Sequence, residues 1–184
     1  MSDNTDYGAL LRDALTASIK TDNLGPLLVD ALIVVTLGAC TLGIAFPALM
    51  RGYTAMCLRI ARGEKAEIGE SMKGFEHFGA SLVIGLLVLG LTVVMSLVPV
   101  IGTTAALILG TWVWCIHADR PASGAVDTLK GSIDLVRAHP VDTLVLWLVA
   151  GGLGLVLSAT VIGSVAALAY GAMLTALMYR RWSF

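Results

Sequence analysis

Asp30 and Arg51 are the two ionisable residues that fall inside long apolar stretches of the chain, and chemistry would start from them. A charge at membrane depth is costly. Such residues therefore face the protein interior, a partner or water, and they mark ion pairs or solute paths. Asp30 lies about one to two turns into its apolar run, and Arg51 about 16 Å before Arg62 at the helical rise. Three arrangements fit these positions. The two residues form an intramembrane ion pair joining neighbouring segments; or each reaches the headgroups separately, Arg51 by snorkelling along its stem; or they line a polar path for a solute or ion.

The other reactive residue types form no constellation. His77, His117 and His139 are far apart, none at metal-ligand spacing from another, and are expected as solvated imidazoles at segment ends. Cys40, Cys57 and Cys115 sit in apolar runs and are expected as buried thiols that pack as small hydrophobes, with no disulfide. Ser71 and Ser132 have no plausible base nearby. No Gly-rich phosphate loop, nucleophile elbow or His-Glu-x-x-His motif occurs. No catalytic, cofactor-binding or metal-ligating residue is therefore expected, and no cofactor. Trp112, Trp114, Trp147 and Trp182 fit an aromatic belt at a membrane interface.

A second pattern concerns packing. Small residues recur every fourth position at Ala48 and Gly52, at Gly102, Ala106 and Gly110, and at Gly163, Ala167 and Gly171. On a helix this spacing makes a smooth stripe. In lipid, helices associate by close packing, which such stripes permit. The stripes serve packing within the chain or a homo-oligomeric interface, and Gly151, Gly152 and Gly154 allow the same two readings.

The elements that must position these residues read as membrane helices. Only 14% of the 184 residues are charged and mean hydropathy is +0.86, against roughly 25% charged in soluble domains. From Gly79 to Cys115 no residue is charged, enough for two spans of roughly 20 residues. Six spans are expected, at 24–43, 44–62, 79–98, 102–118, 141–160 and 162–179. The second is interrupted by Pro47 and Arg51, so whether it crosses fully stays open. Amphipathic helices are expected at 8–20, 66–78 and 124–137, from apolar residues at helical spacing. Residues 1–7 are polar and expected to fray. The first 23 residues are polar and the first apolar run is long, so no secretory signal peptide is expected.

The chain repeats itself. Residues 100–111 and 161–172 are identical at seven of twelve positions, and Ala48, Leu49 and Gly52 form a weaker third copy. The polar parts align as well: Glu70, Lys73 and Gly74 fall on Asp127, Lys130 and Gly131. The expected fold is an all-α integral membrane protein, one transmembrane domain over residues 1–184. It is built of three helical-hairpin repeats at 8–62, 66–118 and 124–181, each opened by an amphipathic helix. Eleven of the twelve basic residues fall on one side of this layout, Arg51 being the exception, and the turns near 43, 99–102 and 160–162 carry no charge. The positive-inside rule then puts both termini and the amphipathic helices in the cytoplasm. Net charge is −1, which gives no electrostatic case for nucleic acid. The segment from Arg59 to Lys65 is basic and could touch anionic headgroups.

At residues 47–53, 58–65 and 74–78 the chain resembles a family of uncharacterised bacterial multi-pass inner-membrane proteins. These are similar to the membrane domain attached to some glycerophosphodiester phosphodiesterases. The matching features are a Gly-Tyr step at Gly52-Tyr53, an Arg-Gly-Glu corner at Arg62-Gly63-Glu64 and the run Gly74-Phe75-Glu76-His77-Phe78. Residues 118–132 resemble the family's later loop. The likeness covers roughly residues 44–140. It implies a membrane fold and carries over no catalytic residue. The expected function is non-enzymatic: a structural or interaction component of the bacterial inner membrane, acting by homo-oligomerisation or as an accessory subunit of a larger membrane complex. The alternative is a small channel or transporter with a polar path near Asp30 and Arg51.

Overall fold

The computed structural model describes residues 6–97, 101–157 and 159–182. Of residues 1–7, expected to fray, 1–5 lie outside them, whereas Asp6 and Tyr7 are ordered as the N-cap and first residue of a helix; the expected turn at Pro99 also lies outside the described residues. Among the described residues all regular structure is helical: α1 (Tyr7–Ile19), α2 (Thr21–Cys40), α3 (Phe46–Ala61), a 3-10 segment (Glu70–His77), α4 (Phe78–Met95), α5 (Ile101–Gly110), α6 (Val113–Asp119), α7 (Ala125–Ala138), α8 (Pro140–Leu157) and α9 (Val161–Trp182).

Local chemistry sets the boundaries. The Asp6 carboxylate accepts the Ala9 N–H at 3.0 Å and starts α1, one of the orphan N-terminal donors satisfied by a side chain. Helix α2 follows after Lys20, with Pro26 in its second turn. Between α2 and α3 the chain reverses through Leu42 (φ +51°) and Gly43 (φ +85°). The Thr41 hydroxyl braces that reversal, donating to the Leu37 carbonyl at 2.7 Å and accepting the Ala45 N–H at 3.1 Å.

Helix α3 is the axis of the molecule. Leu49, Tyr53, Met56 and Cys57 are wholly buried, and α2, the 3-10 segment, α4, α6 and α9 pack around it. That enclosure explains how a helix with Pro47 and Arg51 in it fits among greasy neighbours: little of it meets the surroundings. Helices α4 and α8 are the opposite case. They expose Val83, Leu86, Leu89 and Val93, and Leu144, Leu148, Leu155 and Val156. Exposed apolar surface on this scale is unusual in a water-soluble monomer.

Among the described residues four helical stretches are long and apolar enough to cross a membrane: Asp22–Cys40, Glu70–Met95, Pro140–Leu157 and Ile162–Trp182. The stretch expected at 102–118 is two helices with a break at Thr111-Trp112. Ser132 of α7 donates to the Leu109 carbonyl at 2.5 Å beside that break, so an α7 side chain serves a carbonyl in the last turn of α5. The stretch expected as an amphipathic α-helix at 66–78 is loop as far as Gly69 and then 3-10. Its tighter winding accompanies the close approach to α3 described below.

Candidate functional site

Asp30 organises a buried polar contact between α2 and the 3-10 segment. It lies on the buried face of α2 with Leu27, Ala31 and Val34, and is itself fully buried. Its Oδ1 accepts the Gly69 N–H at 2.7 Å and its Oδ2 accepts the Ser71 N–H at 2.9 Å. These donors stand at the start of the 3-10 segment, where backbone N–H groups lack partners within the helix and favour a negative charge. Asp30 thus caps a segment about forty residues downstream, from a different helix. Gly69, at φ +90°, sits at the entry, in the left-handed region that favours glycine.

Two glycines then bring the 3-10 segment onto α3 backbone to backbone. A Cβ on Gly52 would overlap the Ser71 carbonyl, and one on Gly74 would overlap the Ala48 carbonyl and come within 2.9 Å of the Gly52 nitrogen. The small face of Ala48 and Gly52 therefore receives this segment. In the second stripe Gly102 and Ala106 are buried and Gly110 faces Val88 of α4, its Cβ position 3.7 Å away. In the third, Gly163 is crowded by the Leu157 carbonyl, Ala167 is half-buried, and Gly171 faces Ala150 of α8 at 3.6 Å.

Arg51 is not brought to Asp30. Both Asp30 oxygens are taken by backbone N–H groups, and no ion pair joins the two residues. Arg51 is buried on α3, its Nε has no hydrogen-bond partner, and Glu76 is the carboxylate in electrostatic reach of it. The joining of α2 to its neighbours that an ion pair, one of the three arrangements considered, would have provided is done by Asp30 and the Gly69 and Ser71 N–H groups.

Further polar positions differ from expectation because burial depends on tertiary packing. His117 is wholly buried, with Nε2 at 3.1 Å from the Ser81 hydroxyl and Nδ1 without a partner; it bridges α4 and α6. A serine–histidine pair used for nucleophilic attack needs a group orienting the imidazole and a path for substrate. Nδ1 here has no such group, and both residues are closed to solvent. Trp112 is likewise buried rather than set in a belt: its indole N–H donates to Thr143 at 3.2 Å and its ring meets Trp182 edge-on at 5.1 Å. His139 stacks on the same Trp182 at 4.1 Å. Cys40 is exposed, whereas Cys57 and Cys115 are buried.

Charge gathers where α3, α6 and α9 end together. Arg62 pairs with Asp119 at 2.5 Å, and the Tyr179 hydroxyl donates to the other Asp119 oxygen at 3.3 Å. Arg59 pairs with Glu64 at 2.8 Å and with Glu70, and Arg180 donates to the Ala61 carbonyl. At the start of α1 the Tyr7 hydroxyl donates to Asp142 of α8 at 2.6 Å, a bond to a carboxylate that raises the phenol above its ordinary value. Among the described residues no group of three or more His, Cys, Asp or Glu side chains is placed to hold a metal ion. No family model, curated protein or solved structure matches this chain.

Proposed function

We propose that the chain is a non-enzymatic, multi-pass component of a bacterial inner membrane that acts by association, with copies of itself or with a larger membrane complex. The observation that carries this reading is the bareness of α4 and α8. Only 11% of the most apolar stretch of each is buried inside the chain, and Gly90 and Gly154 have open space where a side chain would stand. Small residues on an uncovered apolar face suit close helix contact in lipid. In this reading six segments traverse the bilayer as three repeated hairpins, with α3 sheltered by the others and the broken α5–α6 pair forming the fourth segment. The charged ends of α3, α6 and α9, with both termini, face the cytoplasm by the positive-inside rule, and the bilayer itself is the first partner. The resemblance to the family of multi-pass inner-membrane proteins accords with this placement.

A polar path is the second reading. The unpartnered Arg51 Nε and His117 Nδ1 favour it, and the use of both Asp30 oxygens by the protein backbone weakens it. Cross-linking in native membranes followed by native mass measurement separates the two. A defined oligomer or a co-purifying membrane subunit, with no solute flux in liposomes, is the expected result. A monomer giving selective flux that Arg51→Gln abolishes would replace the first reading with the second.

A further inference from the structure

Among the described residues a laterally open groove of about 740 Å³ lies between α1, α2, α8 and α9. That is within the size of pockets that hold small ligands, roughly 300–1,000 Å³. Its walls are hydrocarbon: Leu11, Leu15, Leu28, Leu148, Leu153 and Val156 line it. The polar side chains on its walls are already engaged by the protein. The Ser18 hydroxyl donates to the Ala14 carbonyl at 2.7 Å, and the Tyr170 hydroxyl to the Leu11 carbonyl at 3.3 Å. An occupant is therefore offered apolar contact and no new hydrogen bond. The groove is not closed at the α1 side. A second hollow of about 370 Å³ shares Leu15 and Ile19 with it and is bounded by Thr16 and Lys20. Lys20 is exposed and has no ion pair among the described residues. Three of the four helices around the groove belong to stretches long and apolar enough to cross a membrane, so the medium at its opening is lipid.

We propose that this groove is a binding site for one anionic phospholipid, its acyl chain lying between α1–α2 and α8–α9 and its phosphate at Lys20. An apolar trough ending at an unpaired cation matches a molecule with a long hydrocarbon tail and a negative head. The groove would be a poor seat for a charged soluble ligand, which would lose its hydration to walls that return no hydrogen bond. The site rests on the bilayer placement proposed above, and not on the associative role.

Gly152 supplies the test, because it lines the groove and has nothing within 4 Å of its Cβ position. The full chain is extracted from native membranes in mild detergent. Retained lipid is counted by native mass spectrometry, and exchange is followed against vesicles of phosphatidylglycerol or phosphatidylcholine. The expected result is one retained phospholipid per chain, anionic in preference. Gly152→Phe should lose it while melting like the wild type, and Gly90→Phe, on the open face of α4, should keep it. Lys20→Gln should keep a lipid but lower the preference for phosphatidylglycerol by about fivefold, the effect of one cation near an anionic surface. Four outcomes overturn the proposal: no retained lipid, retention unchanged by Gly152→Phe, a second copy of the chain displaced by that variant instead of a lipid, or a headgroup preference indifferent to Lys20→Gln. Chain recovered in the soluble fraction removes the bilayer placement and the site together; a membrane-extracted chain without lipid removes the site alone.

Discussion

The carboxylate of Asp30 and the backbone N–H of Gly69 meet at 2.7 Å inside the protein, with Asp30 also holding Ser71. One buried charge thus fixes where the 3-10 segment begins and ties α2 to it. Hydrogen bonds to charged groups contribute about 1.5–3 kcal/mol each. Asp30→Asn keeps one acceptor and turns an amide donor toward the other N–H, so it should cost at least one such bond. Asp30→Ala, which strands two buried donors, should cost roughly twice as much. Thermal unfolding in detergent measures the loss, and amide exchange at Gly69 and Ser71 should quicken first. Because Arg51 shares no partner with Asp30, adding Arg51→Gln should give effects that sum within about 0.5 kcal/mol. A coupling well above that would restore the ion pair.

Gly52 and Gly74 let two backbones touch, and alanine at either position has no room. The clashing atoms are main-chain carbonyls rather than movable side-chain ends, so relief requires α3 and the 3-10 segment to separate. Gly52→Ala and Gly74→Ala should each destabilise by about 1–3 kcal/mol, the usual cost of overpacking. Gly90→Ala and Gly152→Ala, which meet nothing within 4 Å, should be neutral or stabilising by up to about 1 kcal/mol, since alanine is the better helix former. Melting temperatures of the four variants decide it, and a uniform response would show that the close approach does not limit stability.

These relationships mark what could be read from the sequence. Apolar run length and helical periodicity located α1, α2, α4, α7, α8 and α9 to within a few residues, because those signals are local. They also singled out Asp30, Arg51 and the Ala48–Gly52 face. The partners of these residues were not legible. Nothing near Asp30 in sequence points to Gly69 and Ser71, whose backbone N–H groups carry no residue signature. His117 and Trp112 look like interfacial residues until α4, α6, α8 and α9 close over them. The 3-10 winding of Glu70–His77 escaped for a related reason: its apolar spacing also fits an α-helix, and tertiary contact at Gly74 favours the tighter turn.

Cysteine exposure gives a topological prediction. Cys40 is exposed at the end of α2 remote from the charged cluster, whereas Cys57 and Cys115 are buried. In the folded chain only Cys40 should react with a maleimide, and all three should react after denaturation. If the basic ends face the cytoplasm, a membrane-impermeant maleimide added outside spheroplasts should label Cys40. Labelling solely from the cytoplasmic side would reverse the proposed orientation.

The bond from Tyr7 to Asp142 makes stability depend on alkaline pH in a defined direction. The phenol is raised above its ordinary value of about 10 because its proton is shared with a carboxylate, and the phenolate would stand against that negative charge. A group held protonated by folding contributes its full share below the unfolded value and loses it as pH rises through the folded value. The difference in stability between wild type and Tyr7→Phe should therefore be constant from neutrality to about pH 10 and shrink above it. A phenolate absorbance titration should show one late-ionising tyrosine fewer in the variant. An equal stability gap at neutral and strongly alkaline pH would mean that Tyr7 holds α1 to α8 by packing alone.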